Sequence, residues 1–379
     1  MTLQLTGITW DHERGWGGVR AAGAAFAREH PGVQVSWATR SLQAFADQPA
    51  GELAGQYDLI VLDHPGIGHA VATEALLPLD EFLDPAFLAG QAASSVGRSH
   101  ESYTWQGRQW ALAVDAAAQV AVYRTDLLER LGAGVPRTWD DVFALARRAP
   151  GAVAAPLIPV DAACAFVALC QGFGADGWPA PRAAAAAAIG TLERLLATAH
   201  PASPGWNPPA LLGHMAATDE VAYCPLAFGY VNYTRPRPGA RRLSFAPAPA
   251  DHAGVPRGTL GGAGLAVSAH ARDPAAACAL AAFTVSGEVQ RGAYFDAGGQ
   301  PGHRSAWTDP RVNAEAPGFF AATLPSLDAA TLRPRHDGFL AWQDRAGAAI
   351  CRHLARGGGR QVLLGELDQI SEETRPAGG

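Results

Sequence analysis

At 379 residues the chain is longer than one hydrophobic core usually serves, and 48% apolar with 17% charged residues is the composition of a folded protein, not a disordered one. A formal net charge of −6, with no long basic run, excludes wholesale binding to nucleic acid or an anionic membrane, since both need a positive surface. All 29 basic residues are Arg; without Lys there is no Schiff-base lysine, P-loop lysine or Ser-Lys dyad.

Leu3 to Trp10 is an apolar, β-prone run, and Trp16 to Glu29 carries Val19, Ala22, Gly23 and Phe26 at helical spacing. His30-Pro31-Gly32 ends that helix, and Val33, Val35 and Trp37 then alternate along a strand to Thr39. Tyr57 to Leu62 is a short continuous apolar run, as in a strand buried on both faces of a parallel sheet. This β-α-β-α-β order predicts an α/β protein with an open, doubly wound sheet. Trp110 to Tyr123 alternates like a strand around Asp115, and Thr138-Trp-Asp-Asp opens a capped helix through Arg148. Arg182 to Ala199 reads as an Ala-rich helix. Val221 to Tyr233, Leu243 to Ala246 and Gly264 to Ser268 read as strands between Pro- and Gly-rich turns. Asp273-Pro274 supplies an N-cap and first-turn proline for a helix through Phe283, and the last hundred residues are mostly helical.

Cys164, Cys170, Cys224, Cys278 and Cys351 are odd in number and widely spaced, so buried free thiols are expected, with neither a disulfide framework nor a zinc site. No stretch approaches the ~20 apolar residues that span a bilayer, which predicts no membrane insertion. Met1 runs straight toward the first strand, without an export leader or lipobox. As written this predicts a cytoplasmic protein, and a periplasmic or extracellular one if a leader was removed or the start is misplaced.

Several separated segments share a pattern. They include FAREHPGVQV (Phe26 to Val35), YDLIVLD (Tyr57 to Asp63), LLPLDEFLD (Leu76 to Asp84) and WALAVDAAAQVAVYRTDLLERLG, with PRTWDDVFALA after it. LGGAGLAVSAHARDPAAACALAAF and GEVQRGAYFDAGGQPGHRSAW complete the series. Their order, nearly end to end, resembles the extracellular solute-binding proteins of ABC importers, family 1. The resemblance implies a two-lobed, periplasmic-binding-protein-like fold, each lobe a doubly wound sheet flanked by helices and joined to the other by a hinge. One lobe is expected at about 1–114 plus 265–312, the other at about 115–264 plus 313–379. It also implies a monomer that holds a small solute in a cleft between the lobes, with an ABC-transporter permease as partner and no cofactor.

The residues themselves nominate a site. Asp11-His12 and Asp63-His64 each come directly after a strand, at the carboxyl edge where open α/β sheets bind ligands. Carboxylates there accept hydrogen bonds from sugar hydroxyls or amines, and imidazoles donate or accept; the alternative is that they cap the adjoining turns. Trp10, Arg14 and Trp16 flank the first pair, and an exposed Trp would stack on a sugar face, whereas Trp37 is expected in the core. Asp115 interrupts an apolar run, so it needs a partner; it either holds the hinge or points into the cleft.

Tyr223, Tyr230, Asn232 and Tyr233 bring polar-tipped rings to one segment, either for recognition or as ordinary strand aromatics. Cys224 lies among them with no evident base. The Gly261-Gly262-Ala263-Gly264 turn permits close backbone approach. Gly298 to His303 would present Gln300, His303 and backbone N–H groups, and Arg335-His336 offers a fork for carboxylate or phosphate. The Gly66-x-Gly68 pair lacks the third glycine of a dinucleotide fingerprint.

Together these predict a binding protein for a small polar organic molecule, a sugar or a hydroxylated or carboxylated compound. Two other readings stay open: an intracellular enzyme that uses the Asp-His pairs for acid–base work, and a metal or metal-chelate binder using His12, His64, His303, His336 and Tyr230 or Tyr233.

Overall fold

The computed structural model describes residues 2–375. In chain order they form β1 (Leu3–Trp10), α1 (Glu13–Glu29), β2 (Val33–Arg40), β3 (Leu59–Leu62), α2 (Ile67–Ala72) and the long β4 (Ala111–Tyr123). Then come α3 (Trp139–Arg148), α4 (Pro159–Gly172), α5 (Arg182–Leu196), α6 (Pro208–Ala217), β5 (Tyr223–Phe228), β6 (Ser244–Ala246) and β7 (Leu260–Val267). The helices α7 (Pro274–Thr284), α8 (Phe339–Arg356) and α9 (Arg360–Glu373) follow; further helices, among them Pro85–Ser94 and Phe320–Asp328, and short helical turns lie between these elements.

The chain packs as two compact units. Unit 1 takes the described part of Met1–Ala117 with Gly261–Glu315 and Arg335–Asp337; unit 2 takes Ala118–Leu260, Ala316–Pro334 and the described part of Gly338–Gly379. The chain therefore passes from one to the other inside β4, at the start of β7, and again after residues 315, 334 and 337.

In unit 1, β1 is the parallel partner of both β2 and β3, in a register that sets Trp10 beside Arg40 and Gly7 beside Leu59. β7 joins β3 antiparallel, with Leu62 opposite Gly264, and the first half of β4 lies next to it in the sheet. Leu59–Leu62 is buried at every position, as its unbroken apolar run requires of a strand covered on both faces. One face packs Leu5, Val19, Phe26, Leu59, Val61, Leu265 and Leu280; the other packs Ile8, Ile60, Leu62, Ile67 and Tyr103.

In unit 2, the second half of β4 is antiparallel to β5 and β6. α3 starts on a reciprocal capping box, with Asp141 N–H on Thr138 Oγ1 at 3.2 Å and Thr138 N–H on Asp141 Oδ2 at 3.0 Å. Every residue of α4 from Asp161 to Cys170 is buried, so this Ala- and Cys-rich helix is a core element without a solvent face. It packs with α5, α8 and α9 around Phe166, Leu192, Trp342, Ile350 and Leu367. The strand expected over Val221 to Tyr233 stops at Phe228; Val231–Thr234 is a helical turn, closed by Thr234 Oγ1 donating to Val231 O at 2.7 Å. All five cysteines are free thiols. Among the described residues no helix is long and apolar enough to cross a membrane.

Candidate functional site

Because β1 and β3 are parallel neighbours, their carboxyl ends share one edge of the unit 1 sheet, and both Asp-His dipeptides lie there. Each also caps a helical segment. His12 Nδ1 accepts the N–H of Arg14 at 3.1 Å and so opens α1. Asp63 Oδ1 accepts the N–H of His64 at 2.9 Å at the head of the turn His64–Gly66. Asp11 is exposed, His12 is half-buried and the Asp63 side chain keeps 19% of its exposure. His64 differs: its ring is fully buried, with its Nδ1 3.3 Å from Asp63 Oδ1 and its edge against Tyr103 at 6.4 Å between centroids.

Behind the exposed groups sits a buried frame. Arg14, in the first turn of α1, donates from Nε to Asp115 Oδ2 at 2.8 Å and from Nη2 to Oδ1 at 2.5 Å. Both side chains are almost wholly withdrawn from solvent. Burial pushes the Asp115 carboxyl above its ordinary value, the Arg14 guanidinium opposes this, and the charge of Asp63 adds to it. Arg14 lies in the turn of α1 that follows β1 directly, so the pair sits beneath the same edge. Gly262 has φ of +114°, and a Cβ there would come within 2.4 Å of Asp115 O, so this position needs glycine for both conformation and space.

Gln300, also buried, donates to Ala116 O at 2.7 Å. Gln290 bridges Val114 O at 3.2 Å and the N–H of Gly302 at 2.7 Å, which ties the glycine-rich 298–302 segment onto β4. His303 caps the short helix Arg304–Trp307 through Nδ1, and burial, together with the smaller effect of the Arg291 charge, lowers its pKa.

Arg335 and His336 join this region through α2, because a Cβ on Gly68 would meet Arg335 O at 2.0 Å. Arg335 Nη1 is committed to main-chain acceptors, Glu101 O at 2.5 Å and Thr104 O at 2.6 Å, with its guanidinium over Trp105. It therefore holds the 101–105 turn, where a fork toward a ligand anion was expected. His336 is half-buried; burial lowers its pKa and Asp337 opposes the shift.

Other expectations also change. Trp10 is 4% exposed and packs on Phe45 with ring centroids 4.7 Å apart; the sheet is covered on both faces, so this ring faces the core instead of the edge. Trp16 is half-buried beneath Arg20, and Trp37 packs against the unit 1 core. In unit 2, Tyr223, Tyr230, Asn232 and Tyr233 are all buried. Tyr223 Oη donates to Pro136 O at 3.3 Å and Tyr233 Oη to Pro209 O at 3.0 Å, so two of these polar tips are spent on main chain. Burial drives the Cys224 thiol far above its ordinary pKa, the opposite of what a nucleophile needs. Among the described residues His12, His64, His303 and His336 form no group of three or more convergent metal donors.

Tyr103 and Gln290 are the frame residues that sequence reasoning missed. Tyr103 lies in a short turn without periodicity, and Gln290 is a single Gln within GEVQRG that no spacing rule singles out.

Residues 17–291 match the family model described as bacterial extracellular solute-binding protein. No curated protein sequence matches the chain. Among solved structures it is similar to maltose-bound MalE3 of T. maritima, at 20% identity and TM-score 0.82 over 98% of this chain and 99% of that one. A solute-binding protein of an ABC transporter from Agrobacterium radiobacter, in complex with ribitol, aligns at 20% identity and TM-score 0.80 over 98% of each chain. Another from Thermotoga lettingae, bound with α-D-tagatose, aligns at 15% identity and TM-score 0.83 over 99% of this chain and 100% of that one. At such identities the likeness establishes the fold.

Proposed function

Because the chain belongs to the bacterial extracellular solute-binding protein family, we propose that it captures a sugar or polyol and passes it, as a monomer, to an ABC permease from outside the cytoplasmic membrane. The observation that carries this reading is the layout of the unit 1 sheet edge. Exposed Asp11 and partly exposed Asp63 end two adjacent parallel strands, while the residues behind them are buried and paired. Carboxylates held on a rigid frame are strong acceptors for the hydroxyls of a polyhydroxylated solute, and preorganisation lowers the ordering cost of binding. The bound molecules of the similar structures, maltose, ribitol and α-D-tagatose, are of that chemical class.

Catalysis is the weaker reading. The imidazole of one Asp-His pair is sealed from solvent, and that of the other is occupied as a helix cap.

A calorimetric and thermal-shift screen of mono- and disaccharides, pentitols and hexitols, beside amino acids, peptides and metal chelates, tests the proposal. A specific solute raises the melting temperature with its concentration, by mass action. A panel in which only amino acids, peptides or metal chelates bind would overturn it.

A further inference from the structure

We propose that His200, His214 and Glu220 of unit 2 form a binding site for a borderline divalent transition-metal ion of the zinc class. They belong to unit 2, whereas the residues assigned to the solute belong to unit 1. His200 sits in the connection between α5 and α6, His214 in the last turn of α6, and Glu220 on the turn leading into β5. The Nε2 atoms of both histidines lie 3.1 Å from the same carboxylate oxygen, Glu220 Oε2, and the three donor atoms all fall within 4.8 Å of one another. A tetrahedral zinc ion with bonds of about 2.0–2.1 Å holds neighbouring donors roughly 3.3 Å apart, so the observed spacing needs little adjustment to admit one.

The donors are also held in place. Trp206 stacks on His200 with centroids 4.9 Å apart and 17° between planes, and lies 4.6 Å from His214. The His200 main-chain N–H donates to Val153 O at 2.7 Å. Buried Arg124 donates to Met215 O at 2.8 Å, Thr218 O at 2.6 Å and Asp219 Oδ1 at 2.6 Å, which clamps the turn between His214 and Glu220. Arg130 holds the other oxygen of Asp219 at 2.9 Å.

Two imidazoles and one carboxylate select zinc, copper or nickel over calcium and magnesium, which take mostly oxygen. The side chains of His200, His214 and Glu220 keep 16%, 22% and 59% of their exposure, so the remaining positions on the ion are open to water. Ion binding carries a proton rearrangement. His200 Nδ1 accepts the Ala202 N–H at 3.3 Å, which places the neutral-ring proton on Nε2. Coordination through Nε2 moves that proton to Nδ1 and gives up this long contact. The bound ion ties the α5–α6 connection to the entry of β5.

The test uses the untagged full chain, stripped with chelator and titrated with zinc by calorimetry and with cobalt by visible absorption. The expected result is one ion per chain, a tetrahedral cobalt spectrum, and a melting temperature raised by zinc and unmoved by magnesium. His214→Ala and His200→Ala each weaken zinc binding at least about tenfold while circular dichroism is retained. An octahedral, oxygen-type cobalt spectrum in the unaltered protein, or zinc binding that survives loss of both histidines, overturns the site. The spectrum decides the matter even if a variant fails to fold.

Discussion

Arg14 and Asp115 are 101 positions apart in sequence, yet they meet in a two-point ion pair buried beneath the strand ends of unit 1. Taking both charges out of water is costly, and close two-point geometry offsets that cost only while both partners are present. Asp115→Asn leaves a guanidinium stranded in the core. It is expected to destabilise the protein by about 3–5 kcal/mol, read as a lowered denaturation midpoint. Replacing both residues with apolar ones of similar volume should recover much of that loss. If the single variant matches the original protein, the pair does not hold the frame.

Asp58 anchors the opposite end of the same sheet. It accepts Thr6 N–H at 2.7 Å and a forked Arg272 at 2.6 and 3.2 Å. Burial alone would raise its pKa, but the Arg272 side chain, the Arg272 main chain and Thr6 together bring it from 3.8 to about 2. A carboxyl depressed in the folded state binds fewer protons there than when unfolded. Its stabilisation is therefore complete above pH ~4 and is lost as pH falls toward 2. The shift corresponds to about 2 kcal/mol. Asp58→Asn should cost about that much at pH 7, and its stability curve should converge on that of the original protein in acid. A gap that stays constant down to pH 2 refutes the assignment.

Much of this fold is legible because its signals are local. The first strand is found as expected over Leu3–Trp10, the Thr138 capping box sits where the motif puts it, and Asp273 accepts the N–H of Ala276 at 3.0 Å as an N-cap should. The site is less legible because its deciding facts are not local. Asp115 alone shows only that a buried carboxylate needs a partner; no spacing rule names Arg14. Trp10 looks like a ligand ring until the sheet proves covered on both faces, which sends it onto Phe45. Arg335 looks like an anion fork until the fold brings Glu101 and Thr104 carbonyls to it. The motifs thus place both Asp-His pairs on one sheet edge, while tertiary pairing decides how each polar group there is held.

Asp63 is the group that pairing leaves most informative. One oxygen caps the His64 N–H, a role the Asn carbonyl can keep, so Asp63→Asn should preserve the fold while removing the charge. Hydrogen bonds to an ionised acceptor contribute about 1.5–3 kcal/mol, which is roughly a tenfold or larger loss of solute affinity. Calorimetry with the solute found by screening should show this loss alongside a melting temperature, measured without solute, close to that of the original protein. Unchanged affinity would remove Asp63 from the solute site.

Asp161 of unit 2 behaves in the opposite sense to Asp58. It lies in the first turn of α4 at 4% exposure, and its Oδ2 has no hydrogen-bond partner among the described residues. Burial lifts its pKa from 3.8 to about 7, against the attraction of Arg333. A carboxyl raised in the folded state binds more protons there than when unfolded, so the protein should lose stability as pH rises between about 4 and 7. Asp161→Asn keeps the shape and removes the cost of ionising in the core. It is expected to leave stability little changed near pH 4 and to raise it above pH 7, by up to about 4 kcal/mol from the size of the shift. Denaturation midpoints across that range check it: a variant less stable than the original protein at pH 8 would mean that the ionised Asp161 is held by Arg333 as a working ion pair.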